Sequence, residues 1–210
     1  MRLAKAAEFG YSASEALTIQ AGRLRITAGK FGGRGLKTPS DAAIRPTSDK
    51  VRQAIFNVLE HRDFGLSFAL EGVRVVDLFA GTGAIGLEAL SRGARYCLFI
   101  EVAAEARGLI RENVEAFGQT GASKIWRRDA TMLGPLDTLQ PFNLAFLDPP
   151  YRKGLMAPAL ASLRDGGWLA RPALIVAEMA EDEILPPTEG YEVLHERVYG
   201  ETKVAFLKLG

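Results

Sequence analysis

Cysteine is almost missing from this chain. Cys97 is the one thiol in 210 residues, so no internal disulfide can brace the fold, a usage that suits a reducing cytoplasm. It stands inside an apolar run and reads as a small core residue. Histidine is nearly as scarce, with only His61 and His195. His61 reads as a helix-end residue near the negative end of the helix dipole, and His195 as a structural residue of a terminal hairpin. No Cys/His spacing suited to a metal occurs, so no metal site is expected. No apolar run reaches the length needed to span a bilayer, the N-terminal stretch lacks the continuous apolar segment of a secretory signal, and no segment repeats. These absences point away from a membrane protein, a disulfide-stapled domain and a Cys/His metal centre.

What is present is an ordinary globular composition with an uneven charge. The hydrophobic fraction is 48%, enough for a proper core, and the length suits one α/β domain with an appendage or two small domains. The formal net charge is only +1. Up to Arg62, however, the chain carries 11 Lys/Arg against 5 acids, while the remainder carries 15 against 20. A basic front end on a slightly acidic body suggests that the front meets a polyanion; the plainer alternative is a solvated basic face.

The front end divides into a tail, residues 1–22, with no strong period and no nameable chemistry, and an extension, residues 23–62. Within the extension, Leu24 and Ile26 alternate with Arg23, Arg25 and Thr27 as in a half-buried strand. Lys30, Arg34 and Lys37 then interleave with Gly29, Gly32, Gly33 and Gly35, a loop whose backbone can approach a phosphate closely. Arg45-Pro46-Thr47-Ser48-Asp49 is a helix start with Thr47 or Ser48 as N-cap. Val51, Ile55, Val58 and Leu59 form one apolar stripe to about His61. Lys50, Arg52 and Asn57 lie off that stripe, as does Phe56, which is expected to cover a cofactor or a target base.

Residues 63–210 read as a parallel α/β domain. Val73 to Phe79 is a buried strand carrying Asp77. It runs into Gly81-Thr82-Gly83-Ala84-Ile85-Gly86, a helix ending at Gly93, and a second strand, Arg95 to Ile100, closed by Glu101. Glycines that let the chain turn against a ligand, with an acid twenty positions on to grip ribose hydroxyls, make the nucleoside-binding arrangement. The loop also matches GxGxxG, so a dinucleotide and S-adenosylmethionine both remain open. A helix over Ala103 to Phe117 follows, with Ala106, Leu109, Ile110, Val114 and Phe117 toward the sheet. A short strand, Lys124 to Arg127, leads to Asp129, an acceptor for an adenine amino group or an N-cap for the turn after it. Phe142 to Leu147 is a buried strand ending in Asp148-Pro149-Pro150-Tyr151, a stiff turn at the edge where open α/β sheets bind ligands; taken alone it could equally be a strand-ending turn. A helix over Gly154 to Leu163, a strand over Ala173 to Met179 and a hairpin of Tyr191 to Tyr199 with Thr202 to Leu209 complete the chain.

Asp77-Leu78-Phe79-Ala80-Gly81-Thr82-Gly83, then Glu101, Asp129 and Asp148-Pro149-Pro150-Tyr151, resemble the class I methyltransferases that use S-adenosylmethionine. Arg25-Ile26-Thr27-Ala28-Gly29-Lys30, Gly33-Arg34 and Arg45-Pro46-Thr47-Ser48-Asp49-Lys50-Val51-Arg52 narrow the likeness, over residues 23 to 209, to the RsmD-type guanine-N2 methyltransferases of 16S ribosomal RNA. The resemblance implies a Rossmann-like, seven-stranded, mostly parallel sheet with helices on both faces and a C-terminal antiparallel hairpin. It implies that Asp77, Phe79 and the Ala80-Gly81-Thr82-Gly83 loop hold the methionine end of the cofactor, Glu101 its ribose, and Asp129 with Ala130 its adenine. Asp148 and the Pro149 carbonyl would accept from the target amino group, with Pro150 stiffening the turn and Tyr151 stacking on the base. Arg25, Lys30, Arg34, Lys37, Arg45, Thr47, Lys50 and Arg52 would meet the RNA. S-adenosylhomocysteine would leave as product, and the partner would be a small (30S) subunit, assembling or assembled, met by a cytoplasmic monomer. Two departures stand out: Phe31 occupies a position where related chains often carry tryptophan, and Ala103 one where many place an Asp, so the helix there loses an N-cap. The competing readings are a nicotinamide-dependent enzyme, an amino methyltransferase acting on another base of RNA or DNA, and a non-catalytic RNA-binding assembly factor.

Overall fold

The apolar runs of the second half become the strands of one sheet. In the computed structural model, which describes residues 24–39, 48–186 and 189–210, β1 (Arg74–Leu78), β2 (Tyr96–Ile100), β3 (Ser123–Trp126), β4 (Phe142–Leu147), β5 (Leu169–Ala180), β6 (Tyr191–Tyr199) and β7 (Thr202–Leu209) lie in the order β3-β2-β1-β4-β5-β7-β6. The first five are mutually parallel, and β7 runs antiparallel to both β5 and β6. Seven strands, mostly parallel, with a C-terminal antiparallel pair is the architecture expected above. Strands buried on both faces need no alternation, which is why β1, β2 and β4 read as continuous apolar runs.

The helices are α1 (Asp49–His61), α2 (Ala84–Ser91), α3 (Ala104–Ala116) and α4 (Met156–Asp165). They build two cores, one on each face of the sheet. Val75, Phe99, Leu144 and Phe206 face a cluster containing Ile55, Phe56 and Leu59 of α1, Leu87 and Leu90 of α2, and Ile110 and Val114 of α3. Val76, Leu98, Ala145 and Leu207 face a second cluster with Ala159, Leu160 and Leu163 of α4 and the buried ring of Trp168. Pro158 falls in the first turn of α4, where no intrahelical N–H is required. In α3 the expected inward set holds at Ala106, Ile110, Val114 and the following Phe117, while Leu109 is only half-buried.

The extension is a short hairpin rather than a full strand. A single bridge joins Arg25 to Gly35, with Ile26 donating to Arg34 O at 3.0 Å and Leu36 to Leu24 O at 2.8 Å. Leu24, Ile26, Phe31 and Leu36 are buried in the same core as α1 and α2. Gly29, with φ 76°, lets the hairpin touch α2: a Cβ there would lie 2.0 Å from Ser91 O. Of the two N-cap candidates for α1, Ser48 does the capping, accepting from Val51 N at 3.3 Å; Thr47 and Arg45 lie outside the described residues, as does the tail.

Two expectations for α1 are corrected. Phe56 is fully buried, 5.5 Å from Phe146 and beneath the Arg92 guanidinium, so it packs the core and covers no ligand. Arg52, expected on an RNA-facing surface, is also completely buried. Its Nε pairs with Glu88 at 3.3 Å and its Nη2 with Asp49 at 2.8 Å, and it donates to Arg25 O. Glu88 of α2 is the centre of this network. Besides Arg52 it pairs with Arg92 at 2.7 Å and accepts from Thr27 N and Oγ1, both at 2.7 Å, and Ala28 N at 3.1 Å. Burying one carboxylate between two guanidiniums is tolerable because every lone pair is used; removing it takes a shared counter-charge from Arg52 and Arg92, which keep Asp49 and Glu60, and the acceptor from the hairpin N–H groups of Thr27 and Ala28. Glu88→Ala should therefore destabilise the protein by about 3–5 kcal/mol in urea unfolding, and more than Glu88→Gln, which keeps the hydrogen-bond acceptor for Thr27.

Candidate cofactor and target site

The register of the parallel strands brings the expected stations to one edge. Leu78 pairs with both Ile100 and Leu147, Ile100 with Trp126 and Leu147 with Ala177. The residues that follow these strand ends therefore emerge together, at the C-terminal edge where open α/β sheets bind ligands.

At the end of β1, Asp77 is 3% exposed and its Oδ2 accepts from Gly86 N at 3.1 Å. Burial pushes its carboxyl up to about 7; the nearby Glu101 adds to the rise and the Gly86 bond opposes it. The chain then turns through left-handed backbone at Phe79 (φ 61°) and Gly83 (φ 77°). For an aromatic residue such a φ is a strained conformation of the kind that clusters at ligand-gripping turns. Gly86 serves packing instead: a Cβ there would stand 2.3 Å from the Phe99 ring and 2.6 Å from Cys97 Sγ, so α2 can sit on β2 only without a side chain.

Glu101, after β2, accepts from Gly81 N at 3.0 Å through one oxygen and Ala103 N at 2.8 Å through the other. Ala103 is the N-cap of α3 and makes no side-chain cap bond, as its small side chain implied. Asp129, after β3, caps the short turn Ala130–Met132, with both bonds falling on one oxygen: Oδ1 accepts from Thr131 N at 2.8 Å and Oγ1 at 2.7 Å. Those bonds hold its carboxyl below the ordinary range. The cap reading is thus realised, and the second oxygen keeps its acceptor capacity.

After β4, Asp148 is half-buried, Pro149 buried, Pro150 exposed and Tyr151 half-buried. The Tyr151 hydroxyl donates to Glu178 Oε1 at 2.9 Å and lies 3.2 Å from Thr202 Oγ1. Burial and the Glu178 charge raise its pKa well above that of an ordinary phenol, so it stays a donor.

One cleft of about 920 Å³ joins these stations. Asp77, Phe79, Ala80, Gly81 and Thr82 line it, with Glu101, Asp129, Ala130 and the whole of Asp148-Pro149-Pro150-Tyr151. Gly83 stands behind the wall, against Phe99 and Ile110. Sequence reasoning passed over several lining residues. Glu178 was legible in principle, as the lone charge in the apolar run Ala173 to Met179. Tyr199, Gly200, Glu201 and Thr202, the β6–β7 turn, also form a wall, and nothing local distinguished them from a surface hairpin.

The basic residues of the extension are dispersed. Arg25 pairs with Asp49 at 3.5 Å and Lys37 with Glu112 at 2.8 Å. Arg34 lies 4.3 Å over the Phe117 ring and donates to Ala116 O at 2.6 Å. Lys30 is exposed and sits 5.5 Å from the Phe31 ring centroid, which packs edge-on to Phe117 at 5.2 Å. Lys50 is exposed at the start of α1. Among the described residues no group of His, Cys, Asp or Glu is arranged to hold a metal, and no helix is long and apolar enough to cross a membrane.

Comparison with known proteins matches this arrangement. The family described as Conserved hypothetical protein 95 covers residues 24–208. The ribosomal RNA small subunit methyltransferase D of Escherichia coli K12 is 35% identical over 181 residues, 86% of this chain and 87% of that protein. Among solved structures, the Escherichia coli methyltransferase yhhF superposes with a TM-score of 0.72 at 30% identity, over 90% of this chain and 98% of that one. A methylase from Haemophilus influenzae gives 0.71 at 26% identity, over 90% and 99%. By the extent of the family match and the identity to its relatives, this chain belongs to the Conserved hypothetical protein 95 family, that of the RsmD-type methyltransferases.

Proposed function

We propose that this protein transfers a methyl group from S-adenosylmethionine to the exocyclic N2 amino group of a guanine in 16S ribosomal RNA. The observation that carries the reading is the single cleft that runs from Asp77, Glu101 and Asp129 to Asp148-Pro149-Pro150-Tyr151. It connects a nucleoside-holding end with a carboxylate-and-ring end.

The residues present fit the cofactor. Asp77 is a buried acid held at the margin of ionisation, a place where a ligand cation is favoured, and S-adenosylmethionine carries cationic ammonium and sulfonium groups. A pyrophosphate would meet the Asp77 carboxylate at the glycine turn, which disfavours a dinucleotide. Glu101 suits a pair of ribose hydroxyls, and the second oxygen of Asp129 an adenine amino group. When bound, S-adenosylmethionine supplies an electrophilic methyl group.

This chain's part is positioning and electrostatics. An exocyclic amino group is a weak nucleophile because its lone pair is delocalised into the ring. Asp148, accepting from that N–H, returns electron density to nitrogen and aims it along the cleft, and it can take the proton released. Pro149 and Pro150 hold the turn stiff, since neither donates and both fix φ. Tyr151 offers its ring to a base that has left its stack. The exposed cations Arg25, Lys30 and Lys50, with Arg34 and Lys37 near the surface of the extension, would meet RNA phosphates; Arg45 and Thr47 complete that proposed set. The partner in this reading is an assembling or assembled 30S subunit in the cytoplasm, met by a monomer.

Asp148→Ala should leave S-adenosylmethionine binding unchanged by calorimetry while lowering methyl incorporation into subunits from cells lacking this protein by at least about 100-fold. Undiminished transfer would remove Asp148 from the reaction. Asp77 gives a pH signature. Its carboxyl in the folded protein titrates near 7, against 3.8 ordinarily. Across that window the folded state holds a proton that the unfolded chain has lost, so stability without cofactor should fall as pH rises from 3.8 toward 7 and level off above. A bound cation favours the ionised form, so cofactor affinity should weaken by up to roughly tenfold per pH unit below about 7. Asp77→Asn should flatten that dependence in calorimetric titrations.

A further inference from the structure

Glu178 has no part in the mechanism above, yet its position is a demanding one. It follows Ala177, whose register partner is Leu147, so Glu178, inside β5, stands level with Asp148, the residue that follows the end of the neighbouring parallel strand β4. Both line the 920 Å³ cleft. Glu178 is only 4% exposed in a strand otherwise apolar from Ala173 to Met179. A buried carboxylate is a poor way to stabilise a sheet, which points to a use in the cleft. Its plane is held by the Tyr151 hydroxyl at 2.9 Å, with Thr202 Oγ1 at 3.2 Å from that hydroxyl. Its two oxygens offer about four acceptor sites, and the residue lines the cleft beside Asp148 and Tyr151.

We propose that Glu178 reads the target base as guanine, accepting its N1–H while Asp148 accepts from the neighbouring N2 amino group; the inference rests on the methyltransferase reading above. Guanine places two donors, N1–H and N2–H, side by side on one edge. Adenine and cytosine place an amino group beside a bare ring nitrogen, which is an acceptor. Two carboxylates level with each other on adjacent strands match the first pattern and repel the second. A site built to accept a substrate N–H rejects analogues lacking it far more strongly than shape alone does. The Tyr151 hydroxyl then links the two tasks, since the ring that receives the base also orients the acid that identifies it.

The alternative role, in which Glu178 only holds Tyr151 in place, predicts different behaviour toward 2-aminopurine, which carries the N2 amino group but a bare N1. Subunits are reconstituted with guanine or 2-aminopurine at the methylated position, and kcat/KM for methyl incorporation is measured on each. The wild-type protein should prefer guanine by at least about 100-fold. Glu178→Gln keeps an acceptor for the Tyr151 hydroxyl but presents an N–H to the base, and should bring the preference within about tenfold. Tyr151→Phe, which breaks the Tyr151–Glu178 bond but keeps the carboxylate, should slow both reactions and still prefer guanine more strongly than Glu178→Gln does. Equal use of the two bases by the wild-type protein, or a wild-type ratio in Glu178→Gln, overturns the assignment. The first of these is read on the unaltered protein and does not depend on the variant folding. Absence of any transfer to guanine-bearing subunits would instead overturn the methyltransferase reading, and this inference with it. S-adenosylmethionine calorimetry on Glu178→Gln separates lost reading from lost structure.

Discussion

The buried carboxylate of Glu88 is the constraint on which the front half of the molecule depends. It accepts from the backbone of the hairpin at Thr27 and Ala28, pairs with Arg52 of α1, and pairs with Arg92 at the end of its own helix. Two segments distant in sequence, the hairpin and α1, are thus tied to α2 by one charge. α2 in turn begins at the glycine turn, and Ser48, Val51 and Arg52 of α1 line the cleft. A buried ion network of this kind adds little net stability over an apolar alternative, but its geometry admits few other arrangements. Its effect here is to fix where the basic extension sits relative to the cofactor edge.

That edge is an electrostatic device as much as a shape. Parallel strands in register deliver Asp77, Glu101, Asp129 and Asp148 to one side of the sheet, and the protein treats each carboxylate differently. Asp77 is desolvated and rises toward 7. Asp129 is bonded by Thr131 and falls below the ordinary range. Glu101 is held by two backbone N–H groups, one from each side of the strand end. Four acids at four strand ends are therefore not interchangeable. The innermost is raised by burial, and the outermost is exposed and held below the ordinary range by its Thr131 bonds.

The architecture and most of the edge were legible in the sequence because parallel strands buried on both faces leave long apolar runs, and the residue after each run is marked by chemistry. Glu101 and Asp148 announced themselves in that way, Asp77 as the lone acid inside its run, and Asp129 just past a short strand. The failures share a cause. Arg52 and Phe56 lie off the apolar stripe of α1, and a single-helix pattern assigns such positions to solvent. In the fold, α1 is covered on a second side by Arg25 and α2, so the polar-looking flank is buried as well. Arg52 could be mistaken for a nucleic-acid contact because its counter-ion, Glu88, is 36 residues away in the chain.

The C-terminal hairpin shows the same limit from the other direction, and explains why the Tyr151 end of the cleft has the residues it does. A parallel strand added beside β5 would begin at the far edge of the sheet and contribute nothing to the cleft until its own end. An antiparallel strand begins where its neighbour finishes. Because β7 runs against β5, with Ala180 opposite Thr202, the β6–β7 turn is delivered to the functional edge. Thr202 then stands beside the Tyr151–Glu178 bond, and Tyr199, Gly200 and Glu201 close the wall. The switch from parallel to antiparallel pairing is what converts a terminal turn into part of the cleft wall. No local property of Tyr199-Gly200-Glu201-Thr202 carries that information, since it resides in the direction of the strand that follows.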